Sequence, residues 1–185
     1  LKLARTSDGY AGVPGARLRI TGEAADAATH LRRVHADAVL VGIETVLADD
    51  PLLTVRLPGL ERRSPVRVVF DSHLRLPHAC RLVAGAAEVP VWAVATLDAP
   101  VEAERALVER GVEVMRVDAG ADGRVDLHAA LRLLAERGIT RILCEGGPSL
   151  AGALAEADLV DDLVIVTGAK PLGREGLTAI TPALA

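Results

Sequence analysis

Aromatic residues are almost missing from this chain of 185 residues, in which Phe70, Trp92 and Tyr10 are each the single residue of their type. Proteins that bind single-stranded nucleic acids stack the bases on several exposed rings, and three scattered rings supply no such surface. Positive charge is also in the minority, with 21 lysines and arginines against 25 aspartates and glutamates. This acidic balance disfavours nucleic acids and anionic membranes as partners.

Cysteine is scarce too, since Cys80 and Cys144 are the only two. Cys144 falls in an apolar run that predicts a buried strand, so we expect a reducing compartment and no disulfide framework. No run approaches the roughly 20 apolar residues of a membrane-spanning helix, and no secretory leader is recognisable. We therefore expect a cytoplasmic protein without a membrane partner. Because the chain opens at Leu1 rather than methionine, we also expect it to be a piece of a longer chain.

The five histidines are scattered along the sequence and do not form a ligand set. His30 and His35 lie about 140° apart around a helix, which would not direct them to one metal ion. The usual signatures of zinc hydrolases, serine acyl transferases and nucleotide-binding glycine loops do not occur. We expect no metal site.

What the sequence does contain is a regular alternation of short apolar runs with segments of helical period. This alternation predicts one α/β domain whose apolar strands are covered by helices on both faces. The predicted helices are residues 22–35, 100–110, 126–137 and 149–157. The predicted strands are residues 38–41, 66–70, 89–95, 112–117, 139–144 and 163–167. In the first helix, Ala24, Ala28 and Leu31 are expected to face the core, which puts Arg32 at the border of that face.

A candidate anion site follows the strand that ends at Glu145. The chain continues as Gly146, Gly147, Pro148 and Ser149 before the next helical segment. Free backbone N–H groups and the helix dipole make such a junction suitable for a phosphate. The carboxyl edge of a parallel sheet is also where α/β proteins hold their ligands. The alternative is that the two glycines merely allow a tight turn.

A second cluster consists of Thr45, Asp49, Asp50 and Arg56 around Pro51. The residue before a proline favours an extended or turn conformation, so we expect the two carboxylates at a chain reversal rather than along a helix. Two adjacent acids in a loop fit a solvated turn as well as a ligand site.

Further short motifs join these two clusters into a longer pattern. They are Lys2-Leu3-Ala4, Asp8-Gly9, Ile20-Thr21, Leu31-Arg32, Asp37-Ala38-Val39-Leu40-Val41-Gly42, Thr45-Val46-Leu47-Ala48-Asp49-Asp50-Pro51, Leu53-Thr54-Val55-Arg56, Asp71-Ser72, Glu145-Gly146-Gly147 and Leu172-Gly173. The pattern resembles the reductase-domain family of the bacterial bifunctional riboflavin biosynthesis protein RibD. The resemblance spans residues 2–176, and residues 45–56 are its most specific stretch.

The resemblance implies a single dihydrofolate-reductase-like domain over residues 1–185, with three α/β/α layers and a mostly parallel central sheet. It implies an NADPH-dependent reduction of the ribosyl group of 5-amino-6-(5-phosphoribosylamino)uracil to the ribitylamino product, without a metal. A homodimer is implied as well. The zinc-dependent deaminase domain that accompanies this reductase in the bifunctional protein does not occur within these residues.

The resemblance also implies roles for individual residues. The catalytic residues would be Lys2, Asp49 and Glu145. The cofactor residues would be Thr45, Asp49, Ser72, Gly146, Gly147, Pro148, Ser149 and Leu150. The substrate residues would be Thr21, Arg32, Leu53, Arg56 and Glu145, with the arginines at the 5′-phosphate because a guanidinium pairs with phosphate oxygens two at a time.

One stretch departs from the family pattern. Where the family commonly shows Ser-x-Trp-Ile-Thr, this chain has Arg17-Leu18-Arg19-Ile20-Thr21. Two cations therefore replace a hydroxyl and a ring, which changes the substrate pocket. Two alternatives stay open: a related reductase of the same fold acting on another pyrimidine or pteridine, and a nucleotide-binding domain without turnover.

Overall fold

A computed structural model describes residues 1–13 and 18–184 of the chain. The strands are β1 (Lys2–Arg5), β2 (Tyr10–Gly12), β3 (Ala38–Gly42), β4 (Val66–Phe70), β5 (Val91–Thr96), β6 (Val112–Val117), β7 (Ile142–Cys144), β8 (Val164–Thr167) and β9 (Leu177–Thr178). The helices are α1 (Glu23–Val34), α2 (Ile43–Asp49), α3 (Arg81–Ala84), α4 (Val101–Val108), α5 (Leu127–Glu136) and α6 (Pro148–Glu156). Short 3₁₀ turns lie at Glu61–Arg63 and Pro182–Leu184.

The central sheet has five strands in the order β6-β5-β4-β3-β7, and every neighbouring pair is parallel. β1 pairs with β8 in parallel, and β2 pairs with β9 in the antiparallel sense. The mostly parallel sheet confirms the prediction from the sequence, as do all six predicted strands and all four predicted helices. Because the strands are parallel, their carboxyl ends lie along one edge of the sheet.

Helices cover both faces of this sheet, so the domain has three layers. Along β3, Val39 and Val41 face one apolar cluster, which includes Leu107 of α4. Ala38 and Leu40 face the other cluster, in which α5 and α6 supply Ala130, Leu134 and Leu154. Successive side chains of a strand point to opposite faces, which explains why continuous apolar runs mark strands buried on both sides.

The ends of two predicted helices are also confirmed. Asp126 caps α5, because its carboxylate accepts a hydrogen bond of 2.8 Å from the Ala129 amide. Gly111 and Gly138 follow α4 and α5 with φ of 81° and 87°, a left-handed conformation that favours glycine.

The prediction for Asp49 and Asp50 was wrong in one respect, because Asp49 is the last residue of a helix, α2. Asp50 ends that helix in the left-handed conformation, with φ of 41°. Its carboxylate accepts a 2.8 Å hydrogen bond from the Arg81 amide. α2 has only seven residues, too few to show a helical period, and the proline therefore dominated the sequence pattern.

Cys80 and Cys144 are buried and do not pair with each other. Within residues 1–13 and 18–184, no helix has the length and apolar character needed to cross a membrane.

Candidate active site

A cleft of about 1560 Å³ opens at the carboxyl edge of the central sheet. It is lined by Lys2 of β1, by the inner face of α1, by α2 and the chain that follows it, and by the start of α6. Small-molecule sites usually measure about 300–1,000 Å³, so this cleft has room for two ligands side by side.

The best-defined contact in the cleft is an ion pair between Arg33 and Glu145. Nε and Nη2 of Arg33 lie 2.6 Å and 2.8 Å from the two carboxylate oxygens of Glu145. Only 9% of the arginine side chain and 11% of the glutamate side chain are exposed. Two parallel charge-assisted bonds fix the plane of the carboxylate. Glu145 is the acid that the sequence predicted at the end of β7.

Arg33 is a site residue that the sequence reasoning missed, since it named the neighbouring Arg32. Arg32 donates a 3.2 Å hydrogen bond to the Ala28 carbonyl of its own helix and does not line the cleft. The expected core face of α1 was also wrong, because Ala24 is exposed and 48% of Leu31 is exposed.

The inward face of α1 is polar because it borders the cleft instead of the apolar core. Its buried residues are Thr29, His30 and Arg33. The available signal was the set Asp26, His30 and Arg33, which recurs at helical spacing and places three polar groups on one side of α1.

Lys2 lies half-buried in the same wall of the cleft. Burial lowers the pKa of its ammonium group, because a charged amine is disfavoured away from water, and the nearby Glu145 opposes that shift. Lys2, Arg33 and Glu145 thus form one group of charges, to which the beginning of the chain and the end of β7 both contribute.

The segment of residues 53–56 forms the neighbouring wall. The Thr54 carbonyl accepts a 2.7 Å hydrogen bond from Nη1 of Arg33, and the Val55 amide donates a 2.9 Å hydrogen bond to the Ser64 hydroxyl. The Arg56 amide donates to Nδ1 of His30 over 3.3 Å. Side chains therefore hold the backbone of three successive residues.

Two further features shape this wall. Leu53 is buried in the left-handed conformation, with φ of 54°, which turns the chain after Leu52. Beneath it, the buried Arg67 donates hydrogen bonds to the carbonyls of Leu52, Gly85 and Val89 over 3.3, 2.9 and 2.5 Å. Burial lowers the pKa of Arg67 to about 10.

The start of α6 faces the same space. The Gly147 amide donates a 3.2 Å hydrogen bond to the Thr45 hydroxyl, and Pro148 is the first residue of the helix. No side chain caps α6. The N–H groups of the first turn have no acceptor within a helix, and here that turn includes Ser149 and Leu150. Together with Arg124, whose Nη1 lies 3.4 Å from the Ser149 hydroxyl, they form a donor set suited to an anion.

The end of β4 leads to the third wall. The Ser72 hydroxyl accepts a 3.1 Å hydrogen bond from the Val125 amide, and the buried Asp71 accepts a 2.7 Å hydrogen bond from the Leu76 amide. Arg75 lines the cleft and forms an ion pair with Glu44 of α2.

The remaining predicted residues also have defined places. Asp49 is half-buried and lines the cleft. The Thr21 hydroxyl donates a 2.8 Å hydrogen bond to Asp26, and Arg19 forms an ion pair with the same carboxylate at 3.1 Å. Arg17 lies outside the described residues. Among the residues that the structure does describe, no group of three histidines, cysteines or acids could hold a metal ion.

Comparisons with known proteins identify the family of this chain. The family model described as the RibD C-terminal domain matches residues 1–183. The chain belongs to this family.

Curated relatives include two kinds of protein. The riboflavin biosynthesis protein RibD of Actinobacillus pleuropneumoniae is 36% identical over 194 residues, which cover 100% of this chain and 50% of that protein. The 2,5-diamino-6-ribosylamino-4(3H)-pyrimidinone 5′-phosphate reductase of Methanothermobacter thermautotrophicus is 38% identical and covers 97% of this chain and 82% of its own length. The chain thus spans about half the length of the RibD relatives.

Among solved structures, Acinetobacter baumannii RibD superposes with a TM-score of 0.79 at 26% identity, over 96% of this chain and 48% of that protein. The fold is therefore the one that the sequence predicted.

Proposed function

We propose that this domain reduces the ribosyl group of 5-amino-6-(5-phosphoribosylamino)uracil to the ribitylamino product in riboflavin biosynthesis, with NADPH as the reductant. The observation that carries the proposal is that one cleft joins the donor set at the start of α6 to the charges of Lys2, Arg33 and Glu145. The names of the relatives support the same reaction class.

The donors of the cleft fit a dinucleotide phosphate. We assign its pyrophosphate to residues 146–150, because the uncapped first turn of α6 supplies N–H groups and no carboxylate. Thr45 and Asp49 would contact the nicotinamide half, and Ser72 the 2′-phosphate, with Arg75 beside it. When bound, NADPH supplies a hydride.

We assign the substrate to the walls formed by α1 and by residues 53–56. We assign the 5′-phosphate to Arg56, whose side chain is exposed in the cleft while its backbone is held. Leu53 and Thr21 would contact the rest of the substrate. The role of Arg32 in substrate binding stays a prediction from the sequence. Arg33 lines the cleft and is therefore the better candidate for a contact with the substrate.

For the chemistry, we assign Lys2 and Glu145 to orienting the opened sugar and handling its protons. Opening of the sugar ring requires a proton at the ring oxygen, and burial makes the Lys2 ammonium a readier donor. Arg33 holds Glu145 in place, which fixes the direction of its carboxylate for this task.

We further propose that the domain works as a cytoplasmic homodimer, beside or fused to a zinc-dependent deaminase domain. The half-length match to the RibD relatives supports the second part.

The test of the reaction is NADPH oxidation at 340 nm by the purified chain, with the phosphoribosylaminouracil as substrate and dihydrofolate beside it. We expect absorbance loss with the first substrate only. No oxidation with the phosphorylated substrate would exclude the proposed reaction.

The variant Arg56→Ala should raise KM for the phosphorylated substrate about 10-fold, because a hydrogen bond to a charged group contributes roughly 1.5–3 kcal/mol. The same variant should matter little for a dephosphorylated analogue. Arg32→Ala is the matched control, and its KM should stay unchanged because Arg32 does not line the cleft.

A further inference from the structure

The segment that carries Arg56 is held to α1 through backbone groups. Arg33 holds the Thr54 carbonyl and Ser64 holds the Val55 amide, both within 3 Å. The Arg56 amide itself is held by Nδ1 of His30 at 3.3 Å. The His30 bond is therefore the one that acts directly on the residue assigned to the phosphate.

The environment of His30 keeps its imidazole neutral. Only 8% of the residue is exposed, and it lies one turn before Arg33 on the inward face of α1. Burial is the main cause that lowers the pKa of His30, and the positive charges of Arg33 and Arg56 lower it further. Glu145, the facing acid, opposes the shift. In the neutral ring Nδ1 accepts the amide hydrogen, which leaves the ring proton on Nε2.

We propose that His30 is a positioning residue for Arg56, fixing its backbone so that the guanidinium is directed at the phosphate of the substrate. The inference rests on the proposed function, in which Arg56 binds that phosphate. In this role His30 acts through Arg56 and not directly on the hydride donor or on the carbon that is reduced.

This arrangement makes substrate binding sensitive to pH. A protonated imidazole donates from both nitrogens and accepts from neither, so the Arg56 amide would face an N–H group. The added charge would also lie beside Arg33 and Arg56. As the pH falls through the pKa of His30, Arg56 should lose its fixed direction and KM should rise. kcat should stay nearly constant, because Glu145 is held by Arg33 and not by His30.

Two variants separate this role from a merely structural one. His30→Ala removes the acceptor, and we expect KM for the phosphorylated substrate to rise about 5-fold, the factor for one ordinary hydrogen bond, with kcat within about 2-fold. His30→Asn places an uncharged amide oxygen near the position of Nδ1, so it should restore KM at pH 7.

The pH profile supplies the decisive comparison. As the pH falls below the ordinary histidine pKa near 6.5, KM of the wild type should rise more steeply than KM of His30→Asn. The substrate phosphate titrates equally in both proteins, so the difference belongs to His30. An unchanged KM in His30→Ala, a loss confined to kcat, or identical pH profiles would overturn the inference.

A readout without substrate keeps the inference separate from the proposed reaction. Hydrogen exchange at the Arg56 amide should be slow in the wild type and His30→Asn, and about 5-fold faster in His30→Ala. Nitrogen NMR should show Nδ1 of His30 without a proton at pH 7. Should these hold while the wild type fails to oxidise NADPH, the proposed reaction would be wrong and the contact to Arg56 right. Equal exchange in all three proteins would refute the positioning role, whatever the activity.

Discussion

Arg33 and Glu145 place two opposite charges against each other with almost no water around them. Taking two ions out of water costs several kcal/mol each, and the bidentate contact offsets this cost only while both partners are present. The pair is therefore better explained by the fixed direction it gives to Glu145 than by a gain in stability. A second bond, from Arg33 to the Thr54 carbonyl, extends that fixed geometry to the neighbouring wall.

Breaking this pair should cost more stability than removing it altogether. We expect Arg33→Met to lower the free energy of unfolding by about 3 kcal/mol or more, because Glu145 is left buried without a counter-charge. Adding Glu145→Leu should recover most of this loss of stability, but it should not restore the activity that we assign to Glu145. Urea unfolding of the three proteins gives the measurement.

Arg19 provides the control, since its ion pair with Asp26 has an arginine side chain that is 70% exposed. Arg19→Met should change the free energy of unfolding by less than about 1 kcal/mol. A double variant no more stable than Arg33→Met would mean that the arginine stabilises the fold through its bond to Thr54 instead.

At the scale of the element, α6 follows two adjacent glycines that differ in the space available for a side chain. A Cβ on Gly146 would lie 2.9 Å from Cδ2 of Leu150, whereas a Cβ on Gly147 would meet nothing nearer than the Thr45 hydroxyl at 3.8 Å. The space beside Gly146 is thus filled by the protein itself, and the space beside Gly147 is open towards the cleft.

This difference defines a matched pair of variants. Gly146→Ala should destabilise the fold by about 1–3 kcal/mol, because Leu150 must move. Gly147→Ala should leave stability within about 1 kcal/mol and still weaken NADPH binding about 5-fold, since the methyl group would occupy the approach that we assign to the pyrophosphate. Thermal unfolding and cofactor titration decide between the two effects. Unchanged NADPH affinity in Gly147→Ala would show that the pyrophosphate binds elsewhere.

The elements that the sequence predicted correctly are those whose apolar pattern is decided by the core. β3 to β6 are buried by helices on both faces, and their continuous apolar runs indicate this burial. The sequence predicted the position of α1 along the chain correctly. It predicted the wrong inward face, because that face borders a polar cleft. A step of one residue turns a side chain by 100°, which separates Arg32 from Arg33.

The contacts that hold the cleft together could not be read from the sequence. Arg33 and Glu145 lie 112 residues apart, and His30 and Arg56 lie 26 apart. No local period links residues at such separations. The sequence pattern did indicate that acids and glycines would follow the strand ends, since parallel strands bring those ends together.

At the scale of the whole molecule, Asp8 joins distant parts of the chain. Its carboxylate accepts hydrogen bonds from the Thr6 hydroxyl at 2.6 Å and from the Leu172 and Gly173 amides at 2.8 and 3.0 Å. The Thr6 hydroxyl and these amides lower the pKa of Asp8 to about 2.

A lowered folded-state pKa means that Asp8 stabilises the fold above the unfolded value near 4 and ceases to do so as the pH falls through about 2. Asp8→Asn should therefore lower Tm at pH 7, and the gap from the wild type should narrow between pH 4 and pH 2. Calorimetry across that range gives the measurement. A gap that stays constant would show that the carboxylate charge plays no part.

β1 can complete its pairing only with a strand made much later, since Arg5 and Thr167 of the β1 and β8 pair lie 162 residues apart. The central sheet needs only residues 38–144, so during synthesis on the ribosome it can assemble while β8 is still inside the exit tunnel. Lys2 belongs to β1. A nascent chain can thus hold a finished sheet well before Lys2 takes its place in the wall of the cleft. Any reaction that needs Lys2 should therefore be the last property of this domain to appear.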